Sequence, residues 1–220
     1  MRIAIGDIHG RAFWKEHIGE NYTEYYILGD YFDSYDIPFV VQLDNYYQIV
    51  EAARQDSRIK LCMGNHDYHY FLKDPAEQYS GFQRGHAKEI YDALVKNIEL
   101  LKIVYIANKN ILISHAGVSN TFMKDNSFEN IDEVNAAFVT QPELFRFNGW
   151  EPYGDEVQQG PLWIRPRSLL KDAYSGYSQI VGHTITKYII TEHIQKMESE
   201  LGVRTITFID THDKKCIHRF

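Results

Sequence analysis

Short apolar runs alternate with longer amphipathic patterns along the first part of the chain. The runs Arg2–Ile5, Glu24–Leu28 and Arg58–Met63 have the length of β-strands. Between them, Arg11–Glu20 and Phe39–Gln55 carry apolar residues at helical spacing. This strand–loop–helix rhythm predicts a largely parallel sheet that is covered by helices, and therefore an α/β fold.

The rest of the chain predicts one more helix and a series of strands. A helical pattern covers His86–Asn97, and Leu100–Ala107 and Asn110–Ile113 are predicted to form a hairpin that turns at 108–109. Four further strands are predicted, the last three antiparallel because their links are short: Gln179–Val181, Lys187–Glu192, Val203–Ile209 and Lys215–Phe220. The sequence contains no linker or repeat, so residues 1–220 are expected to form a single domain.

Polar side chains follow the predicted strands at the point where each apolar run ends. Five strand ends carry them: Asp7 and His9, Asp30 and Asp33, Asn65 to Asp67, His115, and His183. Because the carboxyl ends of the strands of an open α/β sheet lie on one side, these residues can converge. Their mixture of carboxylate, amide and imidazole groups suits Mn, Fe, Zn or Co better than Ca or Mg. The candidate ligands are too many for one four-coordinate zinc and fit two metal ions that share a bridging carboxylate.

The densest of these groups is Asn65-His66-Asp67, which follows Gly64 at the end of a predicted strand. Hydrophobic collapse gives no reason to place three such groups there. A metal-assisted hydrolase does, because the amide of Asn65 can bind a metal and the imidazole of His66 can protonate a leaving group. The carboxylate of Asp67 is then expected to orient that imidazole.

Charge and composition restrict the class of partner. The chain has 220 residues, a formal net charge of −7 and no basic run, which disfavours long nucleic acids. No apolar run approaches the length of a membrane span, so no membrane partner is expected. Cys62 and Cys216 lack the spacing of a zinc site or a disulfide framework, and no apolar secretion segment precedes the first strand. We therefore expect a cytoplasmic location.

Five blocks, taken together, resemble the signature blocks of the calcineurin-like metallophosphoesterases. They are Gly6-Asp7-Ile8-His9-Gly10, Gly29-Asp30-Tyr31-Phe32-Asp33, Gly64-Asn65-His66-Asp67, Ser114-His115-Ala116-Gly117 and Gly182-His183-Thr184. Each block is short and common by itself, but five in the right order, each after a predicted strand, are specific. The resemblance spans most of the chain and is strongest to the branch of bacterial and phage serine/threonine protein phosphatases and diadenosine-tetraphosphatases. It implies an α/β fold of two mixed β-sheets packed as a sandwich with flanking helices.

The resemblance also implies a role for each matching residue. The implied metal ligands are Asp7 and His9 for the first ion, Asp30 as the bridge, and Asn65, His115 and His183 for the second ion. His66 would be the general acid, oriented by Asp33, and a hydroxide that bridges the metals would attack phosphorus in line. The implied cofactors are two divalent metal ions, with manganese expected first and iron, zinc, nickel or cobalt as alternatives.

Two positions depart from the family pattern. The last block continues as Thr184-Ile185 and lacks the second histidine of phosphodiesterase and nuclease members. Ser34-Tyr35 follows Asp33, where related phosphatases often have an arginine that binds the phosphate. Two other arginines are candidate replacements, and the one that precedes the last metal block is favoured. The expected substrate-binding residues are therefore Arg165 first, then Arg11, together with Asn65.

The expected activity is hydrolysis of a phosphomonoester, on a small molecule, a nucleotide or a phosphoprotein. Hydrolysis of dinucleoside polyphosphates is the alternative within the same class. A metal-bound interaction module without catalysis is the alternative from another class, and the retained ligand set and general acid disfavour it. Residues 118–160, which are less periodic, are expected to form an irregular or helical excursion that shapes substrate access. Four tyrosines that flank two of the blocks either stack on a substrate ring or pack in the core: Tyr31, Tyr35, Tyr68 and Tyr70.

Overall fold

Two five-stranded β-sheets form the centre of the protein in the computed structural model, which describes residues 1–19, 21–150, 154–194, 204–211 and 216–220. In spatial order, the first sheet contains β10 (Ile217–Arg219), β1 (Ile3–Ile5), β2 (Tyr25–Ile27), β3 (Ile59–Cys62) and β4 (Leu101–Lys102). The second contains β5 (Val104–Ala107), β6 (Ile111–Ser114), β7 (Ser178–Val181), β9 (Thr205–Phe208) and β8 (Ile190–His193). Both sheets are mixed: β1 to β4 are parallel in one and β6, β7 and β9 in the other, while β10, β5 and β8 are antiparallel edge strands.

The alternation of side chains along the strands explains why the two sheets pack face to face. Ala4 belongs to a buried cluster with side chains of the second sheet such as Ile113 and Ile180. Its neighbours Ile3 and Ile5 point the other way, into the large core that the helices cover. Because both faces of the strand are buried, its sequence is apolar throughout. The predicted sandwich of two mixed sheets is confirmed.

Six α-helices accompany the sheets. They are α1 (Phe39–Gln55), α2 (Asn65–Leu72), α3 (Ala87–Lys96), α4 (Asn120–Asp125), α5 (Ile131–Thr140) and α6 (Pro166–Asp172) in the described part of the chain. The first of these has the predicted bounds, and its buried face repeats at helical spacing through Tyr46, Ile49, Val50 and Ala53. None of the helices is long and apolar enough to cross a membrane, among the residues that the structure describes.

The predicted helix Arg11–Glu20 is wrong. The segment forms a single 3₁₀ turn, Phe13–Glu16, and Glu20 lies outside the described residues. Only Phe13 and Trp14 of this turn are buried, so little packing is available to support a longer helix. A hydrogen bond of 3.0 Å from Trp14 Nε1 to Asn45 Oδ1 attaches the turn to α1 instead.

The predicted strand Leu100–Ala107 is divided between the two sheets. Its first part is β4 and its second part is β5, which forms the predicted hairpin with β6. At the crossing point, Asn135 of α5 accepts hydrogen bonds from the backbone N–H groups of Ile103 and Val104, both at 3.1 Å. This side chain thus supplies an acceptor for two backbone groups at the point where the chain passes from one sheet to the other.

The last three strands are also arranged differently from the prediction. β8 and β9 pair antiparallel as expected, but β10 joins the first sheet, where it is antiparallel to β1. Val203 and Lys215, at which two of the predicted strands begin, lie outside the described residues. Within 118–160, the structure has α4, α5 and the 3₁₀ turn Pro142–Phe145.

Candidate active site

The polar strand ends meet in one cleft of about 350 Å³ at the carboxyl edge of the sandwich. β1, β2 and β3 end there from the first sheet and β6 and β7 from the second, because the strands within each set run parallel. Nine of the residues singled out by the sequence line the cleft: Asp7, His9, Arg11, Asp30, Asp33, Asn65, His66, Arg165 and His183. His115 lies fully buried beside it, with Nε2 2.7 Å from Asn65 Oδ1.

The backbone is strained where these side chains are presented. Four of the residues have positive φ angles, in the left-handed region that residues other than glycine rarely adopt. They are His9 (44°), Asp30 (53°), Asp33 (63°) and His183 (64°). Such strain persists only where the surrounding structure enforces it, and it is concentrated at functional sites. At Gly64, moreover, a Cβ atom would overlap the Asp30 carboxylate, so only glycine fits there.

Three histidines are held by backbone carbonyl groups behind the site. His9 Nδ1 donates to Phe32 O at 2.7 Å and His115 Nδ1 donates to Leu28 O at 2.9 Å. His183 Nε2 lies 3.2 Å from Trp163 O. Because a carbonyl oxygen can only accept, each of these ring nitrogens carries the hydrogen. The lone pair of the other ring nitrogen is therefore left on the side of the cleft.

Those inward lone pairs face oxygen atoms that are also acceptors. His115 Nε2 and His183 Nδ1 lie 2.7 and 2.9 Å from Asn65 Oδ1 and 3.2 Å from each other. Burial lowers the pKa of His115 and of His183, so both rings are neutral and neither supplies the missing proton. A cation between these atoms would reconcile the acceptors, and this donor set therefore fits a metal ion.

Asp30 lies between the two groups of candidate ligands. Its Oδ2 is 3.6 Å from His9 Nε2 on one side and 3.5 Å from His115 Nε2 on the other. Burial raises the pKa of Asp30, but the nearby His115, His66 and His9 lower it by a larger amount. The net pKa is below its usual value, so the carboxylate is charged. One oxygen that reaches both groups is the geometry that a bridging ligand requires.

Asp7 completes the candidate metal site. Its carboxylate accepts hydrogen bonds of 3.2 and 3.0 Å from the backbone N–H of His183, which joins the loops after β1 and β7. Burial, followed by the negative charges of Asp210 and Asp30, raises the pKa of Asp7 well above its usual value. Such a concentration of buried carboxylates is stabilised by a bound dication. Asp7, Asp30 and His115 each offer one ligand atom, and these atoms lie within 4.8 Å of one another.

His66 and Asp33 form a second, adjoining pair. His66 Nδ1 lies 2.9 Å from Asp33 Oδ2, and its backbone N–H donates to Asp30 Oδ1 at 2.9 Å. Burial lowers the pKa of His66, but the charges of Asp30 and Asp33 outweigh it and raise that pKa to about 9. The imidazole is therefore protonated at neutral pH, as a proton donor must be.

Asp67 does not orient this imidazole, in contrast to the expectation from the sequence triplet. Its carboxylate accepts hydrogen bonds from the backbone N–H groups of Asp30, Tyr31 and Gly64, at 2.8, 2.8 and 3.0 Å. The reason is that Asp67 occupies the first turn of α2, where its side chain turns back towards the N-terminus of the helix. Asp67 thus holds the loop after β2 against the start of α2.

The helix α2 and the position of His69 were both missed by the sequence analysis. His69 is 1% exposed, and its Nε2 lies 2.7 Å from Asp33 Oδ2. The spacing of three residues between His66 and His69 was the available signal, because residues three apart share a face once the segment is helical.

The two candidate phosphate-binding arginines lie on the walls of the cleft. Arg165 is half-buried just before α6, and its Nη1 donates to Thr184 Oγ1 at 3.1 Å. Burial lowers the pKa of Arg165, while Asp30, Asp155 and Asp7 oppose that effect. Arg11 is held through its backbone, whose carbonyl accepts a 3.1 Å hydrogen bond from Asn45 Nδ2.

Of the four tyrosines near the blocks, three pack in the core. Tyr31, Tyr68 and Tyr70 are at most 2% exposed, whereas Tyr35 is 78% exposed and lines the cleft. Its hydroxyl contacts Ser80 Oγ, which also lines the cleft. Only Tyr35 among them is therefore placed to touch a substrate.

A family model described as calcineurin-like phosphoesterase matches residues 2–196. The chain belongs to the calcineurin-like phosphoesterase family. It is thus a metal-dependent phosphoesterase, and the resemblance of its five blocks is confirmed. No curated protein sequence matches it.

Solved structures of phosphatases share its fold. A cold-active protein-tyrosine phosphatase of a psychrophilic Shewanella species is 16% identical over 97% of this chain and 71% of that chain, with a TM-score of 0.60. Another structure of a cold-active protein tyrosine phosphatase is 17% identical over 97% of this chain and 70% of that chain, with a TM-score of 0.60. A protein serine/threonine phosphatase from Saccharomyces cerevisiae is 16% identical over 95% and 67% of the two chains, with a TM-score of 0.49. At these identities, the first two likenesses show the shared fold alone.

Proposed function

We propose that this family member is a phosphomonoesterase that works with two divalent metal ions, manganese first among them. The observation that carries the proposal is the position of Asp30, whose Oδ2 lies 3.6 Å from His9 Nε2 and 3.5 Å from His115 Nε2. Asp7 and His9 would hold one ion and Asn65, His115 and His183 the other. When bound, the two ions supply an activated water and positive charge for the phosphoryl oxygens.

The remaining residues divide the work on the substrate. His66 donates a proton to the leaving oxygen, and Asp33 Oδ2, 2.9 Å from its Nδ1, keeps the ring in the donating orientation. Arg165, fixed by its hydrogen bond to Thr184, binds an equatorial phosphoryl oxygen. Arg11, which also lines the cleft, adds positive charge at longer range. The rate enhancement then comes from positioning and from charge stabilisation.

A substrate panel tests this proposal. Phosphomonoesters, phosphodiesters and dinucleoside polyphosphates are assayed with Mn, Ni, Mg and Zn in turn, each after removal of metal with a chelator. We expect phosphomonoesters to give the highest kcat/KM and all activity to require added metal. Faster hydrolysis of phosphodiesters than of every phosphomonoester would contradict the proposal.

Hydrolysis of dinucleoside polyphosphates is the second candidate, because two apolar side chains stand exposed on the cleft wall. Tyr35 is 78% exposed and Ile185 is 62% exposed, and both line the cleft. A nucleobase of such a substrate would pack against these two side chains and cover them from solvent. In the same panel, Tyr35→Ala should raise KM for dinucleoside polyphosphates only if this second candidate is correct.

A further inference from the structure

His66 is not the only histidine directed at Asp33. His66 Nδ1 lies 2.9 Å from Asp33 Oδ2, and His69 Nε2 lies 2.7 Å from the same oxygen. The other oxygen, Oδ1, accepts hydrogen bonds from the Tyr70 hydroxyl and, at 3.3 Å, from Gln83 Nε2. Four donor groups thus surround the Asp33 carboxylate, although the contact with His66 alone would be enough to orient the His66 ring.

The ring of His69 is fixed in the protein interior. It packs edge-on against Tyr70 and Phe82, with centroids 4.4 and 4.9 Å away, and parallel to Tyr79 at 6.3 Å. Its Nδ1 accepts from the backbone N–H of Tyr79 at 3.5 Å, which leaves the hydrogen on Nε2, facing Asp33. With 1% exposure, His69 does not reach a substrate in the cleft.

The contact between His69 and Asp33 is short but not aligned as a hydrogen bond. Nε2 is buried and makes no hydrogen bond of normal geometry, although the carboxylate oxygen is only 2.7 Å away. The attraction is therefore mainly electrostatic, between a buried N–H dipole and a buried carboxylate. Burial raises the pKa of Asp33, but its contacts with His66 and His69 lower that pKa by a larger amount, so the group is an ionised carboxylate.

We propose that His69 is a positioning residue that holds the Asp33 carboxylate in place, so that His66 is aimed at the leaving oxygen. The inference rests on the proposed function, because it needs His66 as the proton donor. Asp33 takes its position from a loop with a φ of 63°, and a strained loop needs external contacts to hold a side chain still. His69 provides such a contact from the helix α2, which also carries His66.

Two substitutions distinguish the contribution of the His69 N–H group from that of the packing of its ring. His69→Phe keeps an aromatic ring among Tyr70, Phe82 and Tyr79 but removes the donor, whereas His69→Gln replaces the ring with a donor of similar reach. Phe82→Leu is the matched control, because it loosens the same packing and leaves the donor in place.

We expect His69→Phe to lower kcat for alkyl phosphomonoesters by about ten- to a hundredfold, the effect of a misplaced catalytic group. KM and bound metal should not change, and the loss should be much smaller for 4-nitrophenyl phosphate, whose leaving group needs little protonation. His69→Gln should recover part of the lost kcat. In a His66→Asn background, His69→Phe should have no further effect, because the positioned group is already gone.

Three results would overturn the inference: equal losses for both classes of substrate, full additivity with His66→Asn, or loss of bound metal from His69→Phe. The third result would mean that Asp33, His66 and His69, which could themselves hold an ion, form a metal site. The wild-type enzyme in the same assay separates this inference from the proposed function. A wild type that is inactive on every phosphomonoester contradicts both, whereas an active wild type with an unaffected His69→Phe contradicts only the role of His69.

Discussion

Replacing His66 with asparagine should remove the proton donor and leave the rest of the site in place. The backbone N–H of residue 66 would still donate to Asp30 Oδ1, a 2.9 Å hydrogen bond that does not involve the imidazole. The other contacts of Asp30, with His9 and His115, come from different loops. We therefore expect His66→Asn to bind metal as the wild type does.

The size of the effect follows from the charge state of the imidazole. The charges of Asp30 and Asp33 raise the pKa of His66 and so favour the protonated imidazole, and the substitution removes this donor. General acid catalysis contributes about 10²–10⁴-fold, or about 3–5 kcal/mol of activation free energy. We expect losses in this range for alkyl phosphomonoesters and a loss well below the range for activated aryl esters.

The assay is kcat measured over a series of phosphomonoesters with increasingly poor leaving groups, together with metal content by mass spectrometry. His193→Asn is the control, because His193 is exposed on β8 and takes no part in the site. A variant that slows all esters by the same factor would refute His66 as general acid. Loss of metal would refute the separation between the acid and the metal ligands.

Three further outcomes are expected. Arg165→Ala should raise KM for phosphomonoesters and weaken inhibition by inorganic phosphate at unchanged metal content, and Arg11→Ala should do less; the reverse order would assign the phosphate to Arg11. Asp33→Asn should move the alkaline limb of the kcat profile to lower pH, since the Asp33 charge raises the pKa of His66 and the acid is active only below that pKa. An alkaline limb at the wild-type pH would exclude an effect of Asp33 on the pKa of His66. Asp67→Ala should lower the free energy of unfolding by about 3 kcal/mol or more, because three buried backbone N–H groups lose their acceptor, and a chemical denaturation curve measures this.

The strand ends were predictable from the sequence because burial requires apolar residues within each strand, whereas the site requires polar residues directly after it. Two of the parallel strands, β1 and β2, are apolar throughout, and β3 is interrupted only by Lys60. Asp7, Asp30 and Asn65 appear where these runs stop. The left-handed backbone at Asp30 and Asp33 follows from contacts with other loops, and the sequence shows no such contact.

Other features depend on contacts that the sequence does not display. The helix α2 was hidden because its first turn is made of the polar residues Asn65 to Asp67, which mask the apolar periodicity. The role of His69 depends on Asp33, which lies on another loop. The division of β4 from β5 was not predicted either, because Lys102, the one charged residue at the point where the run leaves the first sheet, also fits a single continuous edge strand.

The proposed dinuclear site depends on Asp30, whose carboxylate would be shared by two divalent metal ions. The most direct measurement is the metal stoichiometry of wild-type protein and of Asp30→Asn, each loaded with manganese and freed of excess ion, with phosphomonoester turnover measured on the same samples. A neutral amide cannot offset two dications. We therefore predict about two ions per wild-type chain, and a parallel fall in bound metal and turnover in Asp30→Asn. Wild-type stoichiometry with full activity in Asp30→Asn would contradict the proposed dinuclear site.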